Sequence, residues 1–477
     1  MSDNKVLKSG VWYTISSIAI RAVAIVTTPI YTSMLTTGDY GIANTYNSWI
    51  DIFNIVTCLC VVYSIGRAKI DYADKFDEYM SALQGLSSSF AFLVLIGVCV
   101  FRDYVSRLIQ YEVPLVIMLF TYLVIFPSVE YMLQKCRYEY KYKENILISF
   151  ITCVGSVFFS VLFMLLFSEK RYFGKIAGSI ITPFLLGLFF YINILRKGKC
   201  FYKKEYWKYA LKFGIPMIPH AFALVVLAQV DRIMIKDICG DSDVGLYTFG
   251  YSFATLLSIF TNAIGQAWLP WFNEQLHSGN KEAIKNIQKK LILLGVFLTL
   301  AFITVAPDAI KILSPHAKDY WEAKWVIAPV ALGTLMQYFY TNYVNVELFH
   351  KKTPIIAISS IAAAFVNYGL NALVIPRYGY ISAAYTTLLS YIFLMLFHYI
   401  ATRFVIGEKV YDDFYMFAVA FISVILGLLL MQLYKSGLQF AIIRYAVFMA
   451  AFVIAVIINK KDMESLLIYI RKRILKR

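Results

Sequence analysis

Long runs of apolar residues recur along the whole of this 477-residue chain and are separated by short polar connections. The hydrocarbon core of a bilayer is about 30 Å thick, so a helix needs roughly 20 apolar residues to cross it. The runs are continuous and not alternating, which favours spanning helices over barrel strands. They cover about 11–35, 42–66, 80–101, 114–134, 146–168, 172–195, 209–235, 244–270, 288–313, 323–348, 354–375, 380–403, 414–434 and 440–459. The sequence therefore predicts an all-α polytopic membrane protein with about fourteen transmembrane helices.

The charge of the chain fits a membrane protein and not a nucleic-acid binder. The net charge is +16, but only 16% of the residues are charged and the mean hydropathy is +0.66. If the N-terminus is cytoplasmic, most of the 45 lysines and arginines fall in cytoplasmic connections or in the tail, as the positive-inside rule requires. We therefore expect both termini in the cytoplasm and no nucleic-acid partner. The first run is too long for a cleaved signal peptide.

The chain contains an internal repeat with an offset of 204 residues. After the long polar connection at 196–212, this offset places Asp39 and Gly41 on Asp243 and Gly245. Repeats with an even number of spans are parallel, an arrangement typical of alternating-access transporters with a site near the membrane midplane. The predicted divisions are an N-terminal lobe at 1–200, a C-terminal lobe at 201–407, and two further helices with a basic tail at 408–477.

Arg21 is the strongest single indication of a functional site. It lies about 15 Å into the first run, and Asp51 lies at a similar depth in the second, after a polar turn at 36–41. An ionisable side chain at that depth should face a partner or a wet cavity. Two interpretations stay open: Arg21 binds substrate phosphate through its paired N–H groups, or it forms a structural salt bridge with Asp51.

Several other polar residues in the runs are candidates for substrate binding. His220 lies midway along the seventh run, where two prolines predict an interruption of the helix. A histidine there could bind phosphate or a coupling proton, or it could simply hydrogen-bond a neighbouring helix. The candidates for lining a sugar-binding cavity, which could equally hold helices together, are Asn47, Tyr247 and Tyr251.

Four charged residues are predicted at the ends of runs. Asp231 and Arg232 are interpreted as an interfacial pair at the outer end of the seventh run, with an outer gate as the alternative. Glu130 and Glu347 fall near predicted cytoplasmic ends and are interpreted as rim residues.

Signatures of enzymes and metal sites are sparse. The seven cysteines lack metal-ligand spacing, and no Walker-type glycine loop is present. The Asp-X-Asp pattern at 241–243 occurs in metal-dependent glycosyltransferases, but no segment is long enough for their soluble nucleotide-binding domain. We therefore expect no catalytic residue, no metal and no cofactor, with a coupling proton or sodium ion left open.

Three segments resemble known transporters. KSGVW at 8–12, LTTGDYG at 35–41 and VIPRYG at 374–379, with Pro29 inside the first run, are similar to polysaccharide-export and O-antigen flippases. These belong to the multidrug/oligosaccharidyl-lipid/polysaccharide exporter superfamily. The resemblance implies a two-lobed cavity that carries undecaprenyl-pyrophosphate-linked oligosaccharides across the bacterial inner membrane. It also implies contact with membrane lipids and with a polysaccharide polymerase. Arg21 resembles the first-helix arginine of the lipid II flippases in this superfamily.

Two alternatives remain. A multidrug exporter of the same superfamily would need acidic residues in its cavity to attract organic cations. A membrane-embedded polysaccharide polymerase or ligase would act on the same lipid, but such enzymes typically have a large external loop, and the connections here are short.

Overall fold

The computed structural model describes residues 19–20, 22–23, 25–139, 141–435 and 437–458, apart from the side chains of 267 and 455–458. Within these residues the chain is helical and contains no strand. The helices are α1 (described at 25–34), α2 (Thr37–Thr57), α3 (Ile65–Asp71), α4 (Phe76–Val100), α5 (Arg102–Ile109), α6 (Val113–Ile125), α7 (Pro127–Tyr138), α8 (Tyr142–Leu166), α9 (Arg171–Gly198), α10 (Lys204–Cys239), α11 (Asp241–Ala254), α12 (Leu257–His277), α13 (Lys281–Leu313), α14 (Lys324–Phe349), α15 (Thr353–Tyr378), α16 (Ile381–Ile400), α17 (Asp413–Gln432) and α18 (Leu438–Ile458). Arg21 lies outside the described residues, so both of its interpretations stay predictions.

The predicted all-α polytopic fold is confirmed. Every run from residue 42 onward coincides with one helix or with two consecutive helices. Among the described residues, ten helical stretches are long and apolar enough to cross a membrane, two of which join consecutive helices (α6–α7 and α11–α12); the number is eleven if one bent pair counts as a single span. Helix α14 falls below that apolarity because it packs against α12, α13, α15, α16 and α17, so protein and not lipid surrounds much of it.

The helices form two compact units, residues 1–245 (unit 1) and 246–477 (unit 2). In unit 1, α4 packs against α6 and α9, and α8 packs against α9. In unit 2, α14 and α15 both pack against α16. The predicted lobe boundary after residue 200 is a different division, since the lobes were defined as the parts that move against each other during transport. That boundary stays a prediction.

Helices α2 and α10 pack along each other in unit 1. The Ser48 hydroxyl donates a hydrogen bond to Gln229 on α10, 2.9 Å away, and the Thr37 hydroxyl lies 2.6 Å from that of Ser242 at the start of α11, just beyond the end of α10. Residue numbers rise on α2 as they fall on the partner side, so the two helices are antiparallel. The prolines predicted to interrupt α10 do not do so, since the helix is continuous from Lys204 to Cys239.

The start of α2 differs from the predicted polar turn at 36–41. Thr36 caps the helix: its hydroxyl accepts from the Asp39 N–H at 3.1 Å, and the Asp39 carboxylate accepts from the Thr36 N–H at 3.3 Å. This reciprocal pair satisfies two otherwise unpaired backbone donors. The polar segment is therefore the cap and first turn of a helix.

Gly41 and Gly245 pack against each other, as equivalent positions of the repeat. Each is the fifth residue of its helix, α2 or α11. A Cβ atom on Gly41 would collide with the Asp241 carbonyl oxygen, and one on Gly245 would collide with the Thr37 carbonyl oxygen. Only glycine allows this backbone approach.

The second span is broken between α2 and α3. Leu59 and Cys60 both take left-handed conformations, with φ of 53° and 52°, and the helices on either side meet at 57°. Neither residue type favours that conformation, so the surrounding packing must hold it. Broken spans of this kind frequently border transport sites.

Candidate functional site

A cluster of polar side chains joins α2, α7 and α10 inside unit 1. We define the polar cluster as Ser48, Asp51, Asn54, Glu130, Gln229 and Arg232. Its members on α2 are three or four residues apart and therefore share one helix face. Helix α10 supplies the glutamine and the arginine, and α7 supplies the glutamate just after the α6–α7 break at Pro127.

Gln229 links the two charged residues of the cluster. Its Nε2 donates to Asp51 Oδ2 at 2.8 Å, and its Oε1 accepts from Arg232 Nη1 at 2.9 Å as well as from Ser48. Arg232 Nη1 also donates to the Ala228 carbonyl oxygen at 2.7 Å. This pattern uses both ends of the amide, so the side chain has one satisfactory orientation.

The cluster combines buried and open groups. Arg232 and the adjacent Asp231 are buried, with 8% and 1% of their surface exposed. Asn47 and Asp51 are exposed on the same face of α2. An exposed carboxylate within a span is costly against lipid, so we do not expect this face of α2 to contact lipid.

Glu130 extends the cluster toward the α2–α3 break. The amide nitrogen of Asn54 donates to Glu130 Oε1 at 3.4 Å, one turn along α2 from Asp51. Glu130 is only partly exposed. It lies beside Asn54 in unit 1, and its interpretation as a rim residue stays a prediction.

Two lysines add positive charge near the start of α2 and the end of α10. Lys236 Nζ lies 3.8 Å from the centroid of the Tyr111 ring and 3.9 Å from Asp241 Oδ1. Lys175 Nζ lies 3.9 Å from the centroid of the Tyr31 ring, and in the described part of the chain no carboxylate lies within ion-pair distance of it. Aromatic faces hold both ammonium groups by cation–π attraction while neutralising little of their charge.

The predicted site residues are only partly brought together. Asp51 and Arg232 meet through Gln229, and Asn47 lies one turn away on α2. Asp231 and Arg232 are both buried within unit 1; their interpretation as an interfacial pair and the alternative gating role stay predictions.

His220 lies apart from the polar cluster. It is nine residues before Gln229 on α10, about 13 Å along the helix axis. Its Nδ1 is buried and has no hydrogen-bond partner among the described residues. Its role in substrate or proton binding stays a prediction.

In unit 2, Tyr247 and Tyr251 do share a helix face. Their ring centroids are 5.6 Å apart. Tyr247 is fully buried and Tyr251 is partly exposed. Contact with a sugar stays a prediction for both residues.

Sequence reasoning missed Gln229, Lys175 and Lys236. Gln229 carries no charge, so nothing marked it out among the residues of the seventh run. The lysines offered a clear signal, since each is a cation within the first or last turns of a long apolar helix. No group of three or more potential metal ligands occurs within the described ranges.

Comparison with known proteins assigns the family. The model of the family described as polysaccharide biosynthesis protein matches residues 6–275, more than half of the chain. The chain belongs to the polysaccharide biosynthesis protein family. The matched region includes every residue of the polar cluster and both lysines.

Two kinds of relative illustrate the comparison. This polysaccharide biosynthesis protein is 23% identical over 397 residues to an uncharacterized membrane protein of Haemophilus influenzae, covering 79% of this chain and 93% of the relative. Among solved structures it is similar to the lipid II flippase MurJ in an inward closed conformation, with a TM-score of 0.71, 13% identity, and coverage of 95% and 100%. It is also similar to an inward-facing multidrug resistance MATE family transporter, with a TM-score of 0.59, 14% identity, and coverage of 83% and 99%. The chain therefore has the fold of these transporters.

Proposed function

We propose that this protein is a flippase that moves undecaprenyl-pyrophosphate-linked oligosaccharide repeat units across the bacterial inner membrane by alternating access. The family assignment and the transporter fold support a membrane transporter that serves polysaccharide biosynthesis. A flippase of this kind is not an enzyme and needs no catalytic residue.

The observation that carries the proposal is the polar cluster. It presents a buried guanidinium beside an open face of α2, and a guanidinium matches the geometry of phosphate oxygens better than an ammonium does. Gln229 is neutral and orients Arg232 through a hydrogen bond from Nη1. Lys175 and Lys236 add charge at one end of the same unit, and together these cations suit a pyrophosphate.

The exposed face of α2 offers polar groups that can bind the sugar. Asn47 is exposed one turn from Asp51, and amide and carboxylate groups hydrogen-bond the hydroxyls of a glycan. In this proposal Arg232 binds the pyrophosphate and Asn47 and Asp51 contact the first sugar. Arg21, Tyr247 and Tyr251 remain candidates for substrate binding on the sequence alone.

The setting of the proposed flippase follows from the distribution of charge. We place both termini in the cytoplasm and Asp39 on the outer side of the inner membrane, as the positive-inside rule predicts. A polysaccharide polymerase would use the flipped lipid on the outer side. The coupling ion is a proton or a sodium ion.

A deletion strain tests the proposal. Loss of the protein should cause lipid-linked oligosaccharide to accumulate in the inner leaflet and should remove surface glycan, with drug sensitivity unchanged. Arg232→Gln should fail to restore the glycan, and Arg232→Lys should restore it partly, when both are present in the membrane at wild-type abundance. Normal glycan in the deletion strain would contradict the proposal.

A multidrug exporter is the second candidate, because Asp51 presents an exposed carboxylate that could attract an organic cation. It predicts the opposite result in that strain: increased sensitivity to cationic drugs and normal surface glycan. Asp51→Asn would then remove drug resistance while leaving the glycan unchanged.

A further inference from the structure

Three polar side chains form a buried hydrogen-bonded chain in unit 2, far along the sequence from the polar cluster. His398 on α16 places Nδ1 at 2.8 and 3.0 Å from the carboxylate oxygens of Glu347 on α14. Its Nε2 lies 3.0 Å from the hydroxyl of Ser359 on α15. Glu347 and Ser359 are 0% exposed and His398 is 1% exposed. Because Glu347 is fully buried, its interpretation as a rim residue is wrong.

The hydrogen bonds of Ser359 favour one placement of the protons. The Ile356 carbonyl oxygen, 2.8 Å from the Ser359 hydroxyl, can take its only proton, and in that arrangement the hydroxyl oxygen accepts from His398 Nε2–H. The other ring nitrogen must then share a second proton with Glu347, either as imidazolium and carboxylate or as imidazole and carboxylic acid. In both forms the pair holds one proton more than a glutamate carboxylate beside a neutral histidine.

The charge balance favours the same state. Without the shared proton the site would carry one buried negative charge, and no lysine or arginine in the described residues lies within ion-pair distance of Glu347. An isolated buried carboxylate is strongly disfavoured. With the proton bound, the site is neutral overall.

In the described part of the chain, the neighbouring helices place no lysine or arginine within ion-pair distance of the pair. From α14, the Tyr340 ring stacks on the His398 ring, with centroids 5.3 Å apart. Two basic residues near the ends of α14 and α16 lie beside carboxylates of their own: Arg403 is 3.8 Å from Asp413 and His350 is 3.4 Å from Glu408. Titratable side chains on these helices include Tyr391 on α16, which stacks on Tyr340, and Tyr343 on α14, which donates to Asp413.

Serine, histidine and glutamate bonded in this order also occur in the active sites of hydrolases, but these three buried side chains cannot act as such a site. A nucleophilic serine must reach its substrate, and Ser359 is fully buried with its hydroxyl donating to the backbone. The cluster therefore handles a proton and not an acyl group.

We propose that Glu347 and His398 form the proton-binding site that couples transport to the proton gradient. The proton is held between His398 Nδ1 and the Glu347 carboxylate, and it leaves when a movement of α14 against α16 admits water to the pair. Ser359 is a positioning residue, since it orients the imidazole without holding the exchanged proton. The coupling role rests on the proposed flippase function; proton binding at the pair does not.

Reconstituted vesicles test the coupling. The probe is a fluorescent undecaprenyl-pyrophosphate-linked trisaccharide, and its distribution between leaflets is read by chemical quenching from outside. A gradient of one pH unit should shift the steady-state ratio between leaflets about tenfold for each proton carried per lipid. Glu347→Gln should keep gradient-independent flipping but lose this response. Ser360→Ala, the matched control at the adjacent buried serine whose hydroxyl bonds the Ile356 carbonyl oxygen, should retain it.

The possible outcomes distinguish failure of the coupling proposal from failure of the flippase function. Flipping by the wild-type protein that ignores the gradient, or a normal gradient response from Glu347→Gln, would overturn the coupling proposal. Absence of flipping by the wild-type protein at any gradient would contradict the flippase function itself.

Proton binding is measured separately, by infrared titration of the purified wild-type protein. The infrared difference spectrum between wild type and Glu347→Gln should contain glutamate and histidine bands, and both bands should change over the same pH range. If Glu347→Gln does not fold, His398→Gln replaces it in this comparison. Absence of such a signal over the range in which the protein stays folded would overturn the proton site.

Discussion

Gln229→Leu should destabilise the protein through the loss of three hydrogen bonds. The amide bonds Asp51 at 2.8 Å, and Ser48 and Arg232 at 2.9 Å each. An interhelical hydrogen bond inside a membrane contributes about 0.6 kcal/mol on average and up to about 1.7 kcal/mol. Three such bonds give a loss of about 2 kcal/mol, with a ceiling of about 5 kcal/mol. Because two of the three partners are charged, we expect a loss in the free energy of unfolding above the figure that the average bond gives.

The free energy of unfolding in detergent, measured by denaturant titration, gives the comparison. Asn47→Leu is the matched control, since it also replaces an amide by leucine near the cluster but Asn47 is exposed. It should change stability by less than about 0.5 kcal/mol. Combining Gln229→Leu with Ser48→Ala should destabilise less than the sum of the two single changes, because they remove one shared bond. Equal effects of Gln229→Leu and Asn47→Leu would refute the bridging role of Gln229.

Three further predictions concern packing, charge and topology. Gly41→Ala should cost about 1–3 kcal/mol because its Cβ meets the Asp241 carbonyl oxygen, whereas Gly97→Ala in α4, where nothing lies within 4 Å, should be neutral or stabilising in the same unfolding assay. The Lys170 ammonium, 2.7 Å from the Glu112 carboxylate, lowers the pKa of Glu112, so this pair stabilises the fold above the unfolded-state pKa and loses that effect as the pH falls through the folded-state pKa. Lys170→Gln should therefore destabilise the protein at pH 7 and have no effect at a pH below both values; equal destabilisation at the two pH values would show that the ion pair is not the cause. Cysteines at Asp39 and Asp243 should react with an impermeant thiol reagent from the same, outer side, and reaction from opposite sides would contradict the parallel repeat.

The helical architecture could be predicted because spanning a bilayer imposes length and continuity on apolar runs. The break at Leu59 and Cys60 could not, because neither residue type marks a left-handed conformation and the apolar run continues through it. The repeat was visible because Gly41 and Gly245 each permit a close backbone approach, and that requirement leaves glycine as the only choice at both positions.

The site was harder to predict than the fold because the sequence gives the position of a charged residue only relative to the ends of its apolar run, and not its surroundings in the folded protein. Helix α10 extends to Cys239, four residues beyond the predicted end of its run, so Arg232 lies about two turns before the helix end and its side chain is buried. Glu347 was placed at a rim because lysines follow it closely in sequence. In the structure five helices surround α14, so its carboxylate is enclosed whatever its distance from the helix end.

The flippase function is tested most directly by lipid flipping with the purified protein in vesicles. Wild-type protein should move the fluorescent undecaprenyl-pyrophosphate-linked trisaccharide between leaflets. Arg232→Gln should slow this by at least about tenfold, since a charge-assisted hydrogen bond to phosphate contributes about 1.5–3 kcal/mol. Arg232→Lys should be intermediate. No flipping by the wild-type protein, or an unchanged rate for Arg232→Gln, would contradict the proposed function or the role of the polar cluster in it, respectively.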